Sequence, residues 1–424
     1  MMIHVVTPGE TLLSIARRYG VPLARLMADN GLTEGQSPVV GQALVILFAD
    51  RTHTVQPGET LTGIAATYDT SVRQLLRNNP QLRGLPALRA GEVLTIDFMQ
   101  ERQGTVSLNG YAYPFIDPGV LRQTLPYLSA LLIFSYGFEE TGALIPADDA
   151  ALLEAARAYD VPAVLVLTTL SRDGSFHSEL ATLLLTDPAV QARLIDELMA
   201  VMVARNYAGV DVDFEFVPPQ NAAAFADFVR TLTARANTIG RYVSVALAPK
   251  TSANQPGLLY EAHDYATLGA AADYALLMTY EWGYTYSEPM AVAPLPSVRR
   301  VLDFGVTQIP PDKIYMGIPN YGYDWPLPYV KGQTRARTIR NLEAIDIARR
   351  YGAEIAFDPV AQTPYFVYTD ERGIAHEVWF EDARSIAQKL ALIPEYSLVG
   401  AAYWTVMGWF PQNWALANAL YAIR

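Results

Sequence analysis

Residues 207–220 read Y-A-G-V-D-V-D-F-E-F-V-P-P-Q, and the order of residue types in this stretch indicates a β-strand around which the rest of the chain is organised. Valine and phenylalanine alternate with acidic residues through its middle. In an extended strand, this alternation places the apolar side chains on one face and Asp211, Asp213 and Glu215 on the other. The stretch therefore predicts a strand over 209–216 with three carboxyl groups in one row.

The acidic row is unusual for a protein interior, because an isolated buried carboxylate is strongly unfavourable. We interpret the row as the lining of a polar cavity whose carboxyl groups share protons. Pro218 and Pro219 should end the strand and leave Glu215 near its C-terminal end, where the catalytic groups of parallel β/α barrels lie. The alternative is an exposed edge strand with a solvated acidic face. The large apolar residues on the other face and the helix-like run at 221–237 favour a buried strand.

Composition describes a globular protein with a large core and argues against several classes of function. The 424 residues are 51% hydrophobic and 17% charged, and this length suggests two or three domains. The net charge of −12 opposes a nucleic-acid partner, since phosphate binding needs a basic surface. Cysteine is absent and the five histidines show no metal-ligand spacing, so we expect neither a metal nor another cofactor.

The sequence also bears on location and assembly. The sequence has no stretch of about 20 apolar residues, so we predict no membrane span. The N-terminus, M-M-I-H-V, lacks the basic and apolar pattern of a classical signal peptide. A monomer is expected.

An internal repeat with an offset of 49 residues occupies the first hundred residues. H-V-V-T-P-G-E-T-L-L-S-I-A at 4–16 recurs as H-T-V-Q-P-G-E-T-L-T-G-I-A at 53–65. Each copy predicts a short strand, a Pro-Gly turn and a helix capped by Thr11 or Thr60. A second helix and a closing strand led by glycine complete a β-α-α-β unit.

Both copies, over 2–48 and 51–98, resemble the LysM module through the pattern V-x-x-G-[ED]-T-L-x-x-I-A. The resemblance implies a groove, between the first helix and the closing strand, that holds N-acetylglucosamine-containing glycans. Duplication suits a polymeric ligand, because a second weak module gains from the effective concentration set by the first. Whether the modules rotate on the short segment at 97–103 is left open by the sequence.

From position 105 the pattern changes to strands that alternate with helices. The predicted strands are 109–113, 130–136, 163–168, 209–216, 242–248, 274–280, 314–318 and 398–405. Eight apolar strands with helical connections predict an α/β fold, a TIM (β/α)8 barrel, over 105–424. Since this region exceeds a typical barrel of about 250 residues, we assign the surplus to a small α+β insertion at about 329–378, after the seventh strand.

The segment A-G-V-D-V-D-F-E resembles the D-G-x-D-x-D-x-E signature of glycoside hydrolase family 18, the chitinase family. Two further elements agree: M-T-Y-E at 278–281 is similar to the family's M-x-Y-D motif, and Trp404 is similar to the tryptophan that ends its eighth strand. With two LysM modules and H-E-V-W-F-E-D-A-R-S-I at 376–386, the whole chain resembles the spore-cortex N-acetylglucosaminidases of endospore-forming bacteria in this family.

The spacing of the carboxyl groups bears on mechanism. Most glycosidases place two carboxyls on opposite faces of the sugar, about 5 to 9.5 Å apart. Asp213 and Glu215 are two residues apart, roughly 6.6 Å along the strand, and point the same way. Asp213 therefore cannot easily attack from the face opposite Glu215. This difficulty disappears if the 2-acetamido group of the substrate is the nucleophile. Some glycosidases use the substrate in this way in place of a second carboxyl group.

The predicted roles follow from this arrangement. Glu215 is the general acid and later the base, and Asp213 orients the acetamido N–H. Asp211 shares a proton with Asp213, and crowding of like charges keeps Glu215 protonated near neutral pH. The resemblance implies that Tyr280 donates to the acetamido carbonyl and that Trp404 forms the floor of the sugar site. The further predicted substrate contacts are Glu281, Tyr136, Trp282, Asn320 and Tyr321.

Three departures from the family pattern weigh against a true chitinase. Ala208 stands where the family usually has its first aspartate, Glu281 replaces the aspartate of M-x-Y-D, and the strand at 163–168 lacks the S-x-G-G motif. Glu281 could also be the opposing carboxylate of a conventional mechanism.

We expect a retaining β-N-acetylglucosaminidase that acts on peptidoglycan of the spore surface, cortex or cell wall. The alternatives are a chitinase and a non-catalytic wall-glycan-binding protein. The presence of Glu215, which binding-only relatives typically lack, favours an enzyme.

Overall fold

The computed structural model describes residues 1–84, 87–172 and 174–424. Leu85 and Pro86, inside the predicted second module, and Asp173, inside the predicted barrel, lie outside the described residues. The first module contains β1 (Met2–Val5), α1 (Leu12–Tyr19), α2 (Leu23–Asp29) and β2 (Ala43–Ile46), and the second contains β3 (Ala49–Thr54), α3 (Leu61–Thr67), α4 (Val72–Asn78) and β4 (Val93–Phe98).

Each module forms the predicted β-α-α-β unit with a two-stranded antiparallel sheet. The predicted helix caps are present: the Thr11 side chain accepts from the Ser14 N–H, and the Thr60 side chain accepts from the Gly63 N–H. These bonds satisfy backbone donors that the first helical turn leaves without an intrahelical partner. Each module has its own small apolar core.

A closed parallel barrel follows the modules. Its first part contains β5 (Thr105–Ala112), α5 (Pro118–Thr124), β6 (Ala130–Phe138), the short β7 (Leu144–Ile145), α6 (Ala150–Ala158), β8 (Ala163–Leu167), α7 (Ser178–Thr186), α8 (Pro188–Arg205), β9 (Gly209–Val212), α9 (Ala222–Asn237), β10 (Tyr242–Leu247), α10 (Tyr265–Ala271), β11 (Tyr274–Leu277), α11 (Leu295–Gln308) and β12 (Ile314–Pro319).

The insertion follows β12 and contains β13 (Gly322–Pro326), β14 (Arg337–Ile339), α12 (Asn341–Tyr351), β15 (Ala356–Asp358), β16 (Thr363–Thr369) and β17 (Ala375–Trp379). Its five strands form an antiparallel sheet in the order β14-β13-β17-β16-β15. The sheet begins earlier than the predicted boundary of 329, because β13 pairs with both β14 and β17.

The chain ends with α13 (Ala383–Glu395), β18 (Gly400–Trp404), α14 (Pro411–Leu420) and β19 (Ala422–Ile423). The barrel closes where β18 pairs in parallel with β5, so the predicted TIM barrel is confirmed. Among the helices of the described ranges, none is long and apolar enough to cross a membrane.

The central strand is shorter than the alternating pattern predicts. β9 ends at Val212, so Asp213 and Glu215 lie just beyond the strand. Phe214 is fully buried among outer helices, as expected, but Phe216 has a left-handed φ of 54° and is 47% exposed. The prediction that Phe216 faces the core is therefore wrong, because the chain leaves the sheet before it reaches this position.

Both modules pack against α14, and buried amide groups fix the contact. Gln412 of α14 donates to the Asn30 side chain of the first module at 3.1 Å. Asn418, at the other end of the same helix, donates to the Asn78 side chain of the second module at 2.8 Å. Because buried polar groups need these partners, the two modules take a defined orientation on the barrel.

Replacing Arg77 with methionine should lower the free energy of unfolding by about 3 kcal/mol, as expected for lost charge-assisted hydrogen bonds that leave buried acceptors unpaired. Arg77 is 7% exposed and donates to the carbonyls of Pro126 (2.6 Å) and Ile423 (2.9 Å), both in the barrel domain. Urea unfolding measures the effect, and Arg17→Met on the exposed face of α1 is the control. Equal stability of the two variants would contradict this account of the contact.

Candidate active site

The acidic row lies at the C-terminal ends of the barrel strands, where two clefts meet. The first, of about 440 Å³, is lined by Asp213 and Glu215, and the second, of about 490 Å³, by Glu281 and Tyr321. Trp404 lines both clefts. The carboxyl groups of two different strands therefore border one continuous, aromatic-walled opening.

Asp211 is the innermost carboxyl group and is 1% exposed. Its two oxygens accept from the Tyr111 hydroxyl at 2.7 Å and from the Ser244 hydroxyl at 2.5 Å. Burial raises the pKa of Asp211, and these two hydrogen bonds oppose the increase. Sequence reasoning missed both partners. A polar serine within the apolar strand at 242–248 was the available signal for one of them.

Asp213 lies between the other two carboxyl groups. Burial is the main cause that raises its pKa well above the usual range, followed by the charges of Glu215 and Asp211. Among the described residues, its Oδ1 atom is buried without a hydrogen-bond partner. A buried carboxyl oxygen without a donor is costly, so this atom is suited to accept a hydrogen bond from a substrate.

Glu215 is bordered by protein, yet solvent reaches it through the mouth of the first cleft. Burial raises its pKa first, and the charge of Glu281 raises it further. The sequence predicts this effect from crowding along one strand. In the structure the charge that raises the pKa of Glu215 is that of Glu281, which follows β11 and borders the same opening.

Glu281→Gln should move the basic limb of the pH–activity profile to lower pH. A general acid must be protonated, and removal of a neighbouring negative charge lowers the pKa of Glu215, so the acid loses its proton earlier as pH rises. The amide keeps the shape of the side chain. Measurement of kcat/KM against pH decides the point, with Glu288→Gln, on the same loop, as the control. An unchanged basic limb would contradict the coupling.

Tyr280 and Glu281 follow β11 and are held by neighbouring strands. Gly317 of β12 leaves room for the Tyr280 ring, because a Cβ atom there would lie 2.6 Å from that ring. Burial and the four nearby carboxyl groups raise the pKa of Tyr280 well above its usual range, so its hydroxyl stays protonated as a donor. Glu281 has a left-handed φ of 67° and accepts from the hydroxyls of Tyr321 and Tyr323.

Aromatic side chains form the walls. The ring of Trp404 lies edge-on to the rings of Tyr111, Tyr113 and Phe134, with centroids 5.4, 6.1 and 4.9 Å away. Trp404 and Tyr113 line both clefts, so together they form the surface between them. Sequence reasoning identified Trp404 but missed Tyr113, which ends the first predicted strand, and Phe134, which lies within the second.

The rim of the first cleft carries large apolar side chains that remain exposed to solvent. Phe176, Phe216 and Leu258 line it with 58%, 47% and 50% exposure, and Phe115 stacks on Tyr113 with 77% exposure. Contiguous exposed apolar groups of this kind mark binding surfaces.

The structure does not bring every predicted contact to the opening. Tyr136 is fully buried and its hydroxyl donates to Asp149, which also accepts from Tyr207. Trp282 packs against the main core instead of lining either cleft. These placements correct the sequence expectation: Tyr136 joins a buried polar network, and Trp282 contributes to packing.

Asn320 does line the second cleft, but its side-chain nitrogen donates to the carbonyls of Thr405 and Gly408 at 2.8 and 2.9 Å. Its donors are therefore used to hold the loop after β18.

Within the described residues, no group of three or more histidine, aspartate or glutamate side chains could hold a metal ion.

A buried histidine supports the catalytic segment. His263 accepts the Ala248 N–H at Nδ1 (2.9 Å), so its Nε2 carries the proton and donates to the Phe214 carbonyl at 3.1 Å. Burial lowers its pKa to about 4, which keeps the ring neutral. Phe214 lies between Asp213 and Glu215, beyond the end of β9, and this bond replaces a missing strand partner.

His263→Asn, whose shorter amide can take the place of Nδ1 alone, leaves the Phe214 carbonyl without its donor and should lower kcat about tenfold or more with little change in KM, because small displacements of a catalytic group are costly. His263→Gln, whose longer amide can donate from near the position of Nε2, should retain more activity. Steady-state kinetics measures the effect, and circular dichroism verifies the fold. Wild-type kcat in both variants would show that the Phe214 contact has no positioning role.

A parallel barrel with a cluster of carboxyl groups whose pKa values are raised, at the C-terminal ends of its strands and inside an aromatic cleft, is typical of a glycosidase. The model of the glycosyl hydrolases family 18 matches residues 167–408, and the LysM domain model matches 4–47 and 53–97. The chain belongs to glycosyl hydrolase family 18 and carries two LysM domains at its N-terminal end.

Individual relatives agree with this family over the whole chain. A cortical fragment-lytic enzyme of Bacillus subtilis (strain 168) is 41% identical, covering 99% of this chain and 97% of that enzyme. The crystal structure of the Bacillus cereus spore cortex-lytic enzyme SleL superposes with a TM-score of 0.84 at 34% identity, covering 100% of this chain and 98% of that chain. A chitinase from Chromobacterium violaceum ATCC 12472 shares the barrel fold at 24% identity, with a TM-score of 0.68, over 74% of this chain and 98% of its own.

Proposed function

We propose that this protein is a retaining, substrate-assisted β-N-acetylglucosaminidase that hydrolyses bacterial peptidoglycan, in particular that of the spore cortex. The observation that carries the proposal is the arrangement of Asp213 and Glu215 in one acidic row, with a buried, unpartnered oxygen on Asp213. A carboxyl group on the same side as the acid is placed to orient a substrate group, and a conventional nucleophile would attack from the opposite side.

The proposed first step breaks the glycosidic bond. The acetamido carbonyl oxygen of the substrate attacks the anomeric carbon, while Glu215 donates its proton to the leaving oxygen. Asp213 accepts the acetamido N–H and stabilises the positive charge that develops on the oxazolinium ring. The Tyr280 hydroxyl, kept protonated by its raised pKa, donates to the acetamido group.

The second step restores the enzyme. Glu215, now a carboxylate, takes a proton from water as the water oxygen bonds to the anomeric carbon and the bond to the acetamido oxygen breaks. Two displacements at the same carbon leave its configuration unchanged. Trp404, between the two clefts, supplies an apolar floor for the sugar ring.

The choice of peptidoglycan rests on the modules and on the relatives. The LysM domains and the names of the cortex-lytic relatives support a wall glycan as the polymer and the spore cortex or cell wall as the site of action. Chitin-like oligomers contain the same acetamido sugar and are the second candidate substrate. The similarity of the barrel to a chitinase concerns the fold alone and does not favour this candidate.

Mass spectrometry of soluble products tests the proposal, with spore-cortex peptidoglycan, vegetative peptidoglycan and N-acetylglucosamine oligomers as separate substrates. We expect fragments with N-acetylglucosamine at the reducing end, released from cortex and absent with Glu215→Gln. Release from the oligomers alone would make the protein a chitinase. No product from any substrate, with binding retained, would indicate a wall-binding protein.

A further inference from the structure

A third cleft, of about 790 Å³, lies where the first module, the second module and the barrel domain meet. Met27 comes from α2, Gln81 and Arg83 follow α4, Leu342 belongs to α12 of the insertion, and Trp409 follows β18. Because its walls come from three parts of the chain, the cleft exists only in the packed arrangement of modules and barrel.

The third cleft adjoins the catalytic opening. Gly408 lines the cleft of Glu281, and the next residue, Trp409, lines the third cleft. Arg340 likewise lines the catalytic opening two residues before Leu342. The side chain of Arg340 lies against Gly408 between the two sites and is itself exposed. A polymer that leaves the surface of Trp404 can therefore cross this arginine into the third cleft.

The lining suits a polar polymer with flat apolar faces. Trp409 is half-buried, with its ring 6.1 Å from that of Tyr127, and half-buried Met27 and Leu342 extend the apolar surface. An indole and aliphatic carbons can cover the C–H face of a sugar ring, as apolar walls do in most ligand sites.

Polar groups border this apolar surface. Gln81 and Arg83 are exposed at its edge and offer amide and guanidinium donors for hydroxyl and acetamido oxygens. Glu34 of the first module balances the charge of Arg83, so the lining has no net charge. This balance favours an uncharged sugar over an anionic ligand.

We propose that the third cleft is a distal subsite that holds the continuation of the N-acetylhexosamine chain being cut at Glu215. The proposal rests on the proposed function for the direction of the glycan, and it adds a binding site formed jointly by modules and barrel. A substrate long enough to cross Arg340 binds both sites at once, and a short oligomer binds only the catalytic opening.

Binding measured in a Glu215→Gln background tests the subsite independently of catalysis. The probes are long and short N-acetylglucosamine oligomers, whose chains carry no charge. Adding Trp409→Ala should weaken affinity for long strands about tenfold and leave affinity for short oligomers unchanged, since only the long strand loses the second contact. Tyr396→Ala, a half-buried aromatic at the opposite face of the barrel, is the matched control.

A second variant guards against a folding defect at Trp409. Ala28→Gln on α2 retains a good helix former and extends a side chain into the third cleft. It should also weaken binding of long strands selectively. With Glu215 restored, both variants should raise KM for long strands at unchanged kcat, the signature of lost uniform binding. Equal affinities of all variants for long strands, or equal losses for long and short ones, would overturn the subsite. If the protein with Glu215 restored cleaves none of the substrates, the proposed function fails, but the binding comparison still tests the subsite.

Discussion

Glu215→Gln should keep the fold and lose hydrolytic activity by a factor of roughly 10²–10⁴, the usual contribution of a positioned general acid. The amide has the shape of the carboxyl group but cannot donate its proton to the leaving oxygen. In the proposed mechanism the same group later activates water, so both steps are slowed. Release of reducing sugar from peptidoglycan, followed over time, measures the effect.

The leaving group distinguishes loss of the acid from general damage. An aryl glycoside with an acidic phenol needs little protonation, so Glu215→Gln should lose much less activity in the bond-breaking step on this substrate than on a natural glycan. Glu140→Gln, which alters an exposed residue away from the clefts, is the matched control. A variant that retains full activity on peptidoglycan would remove Glu215 from the mechanism.

Asp213→Asn should lower kcat by about 10²-fold or more, because a charge that stabilises the developing oxazolinium is lost. Its effect on stability should have the opposite sign. Burial and two neighbouring carboxyl groups raise the pKa of Asp213, so its ionised form is unfavourable in the folded state. The stability linked to this group is present at low pH and is lost as pH rises through the raised pKa. Removal of the titrating group should therefore stabilise the fold near neutral pH.

Two measurements together test this expectation. Thermal unfolding at neutral pH should show a higher midpoint for Asp213→Asn than for the wild type, while activity falls. Progressive fluorination of the substrate's acetyl group weakens its carbonyl as a nucleophile and should slow the wild type steeply. A rate that is insensitive to fluorination would favour a conventional nucleophile, with Glu281 as the opposing carboxylate.

The sequence alone was sufficient for the architecture, because the features that specify it are local and repeated. The copies at 4–16 and 53–65 predicted two β-α-α-β modules, and eight apolar strand patterns predicted the barrel. The sequence also predicted the acidic row, because the side chains of an extended strand alternate between its two faces. The end of this strand could not be predicted from the alternation: the ladder stops at Val212, opposite the last residue of β8, although β10 on the other side continues to Leu247.

The sequence predicted only some of the residues that act on the site from other strands. Glu281 was a predicted substrate contact, and its effect on the pKa of Glu215 depends on how β9 and β11 face one opening. Tyr111 and His263 give no local signal for their partners, and the polar Ser244 in an apolar strand does not indicate which residue it bonds, because hydrogen bonds over tens of residues depend on the closed barrel. Tyr136 was predicted as a substrate contact from its position at the end of a strand. That position does not specify which way the ring points, and in the structure the ring is buried.

The chain by itself thus determined the modules, the barrel and the three carboxyl groups, all through short-range periodicity in the sequence. Only the tertiary structure decided the neighbours of each carboxyl group, the aromatic walls and the orientation of the modules. The module contacts illustrate the reason. Gln412 and Asn418 are unremarkable in the sequence, yet buried amides on α14 require partners. Those partners, Asn30 and Asn78, lie more than 300 residues away along the chain.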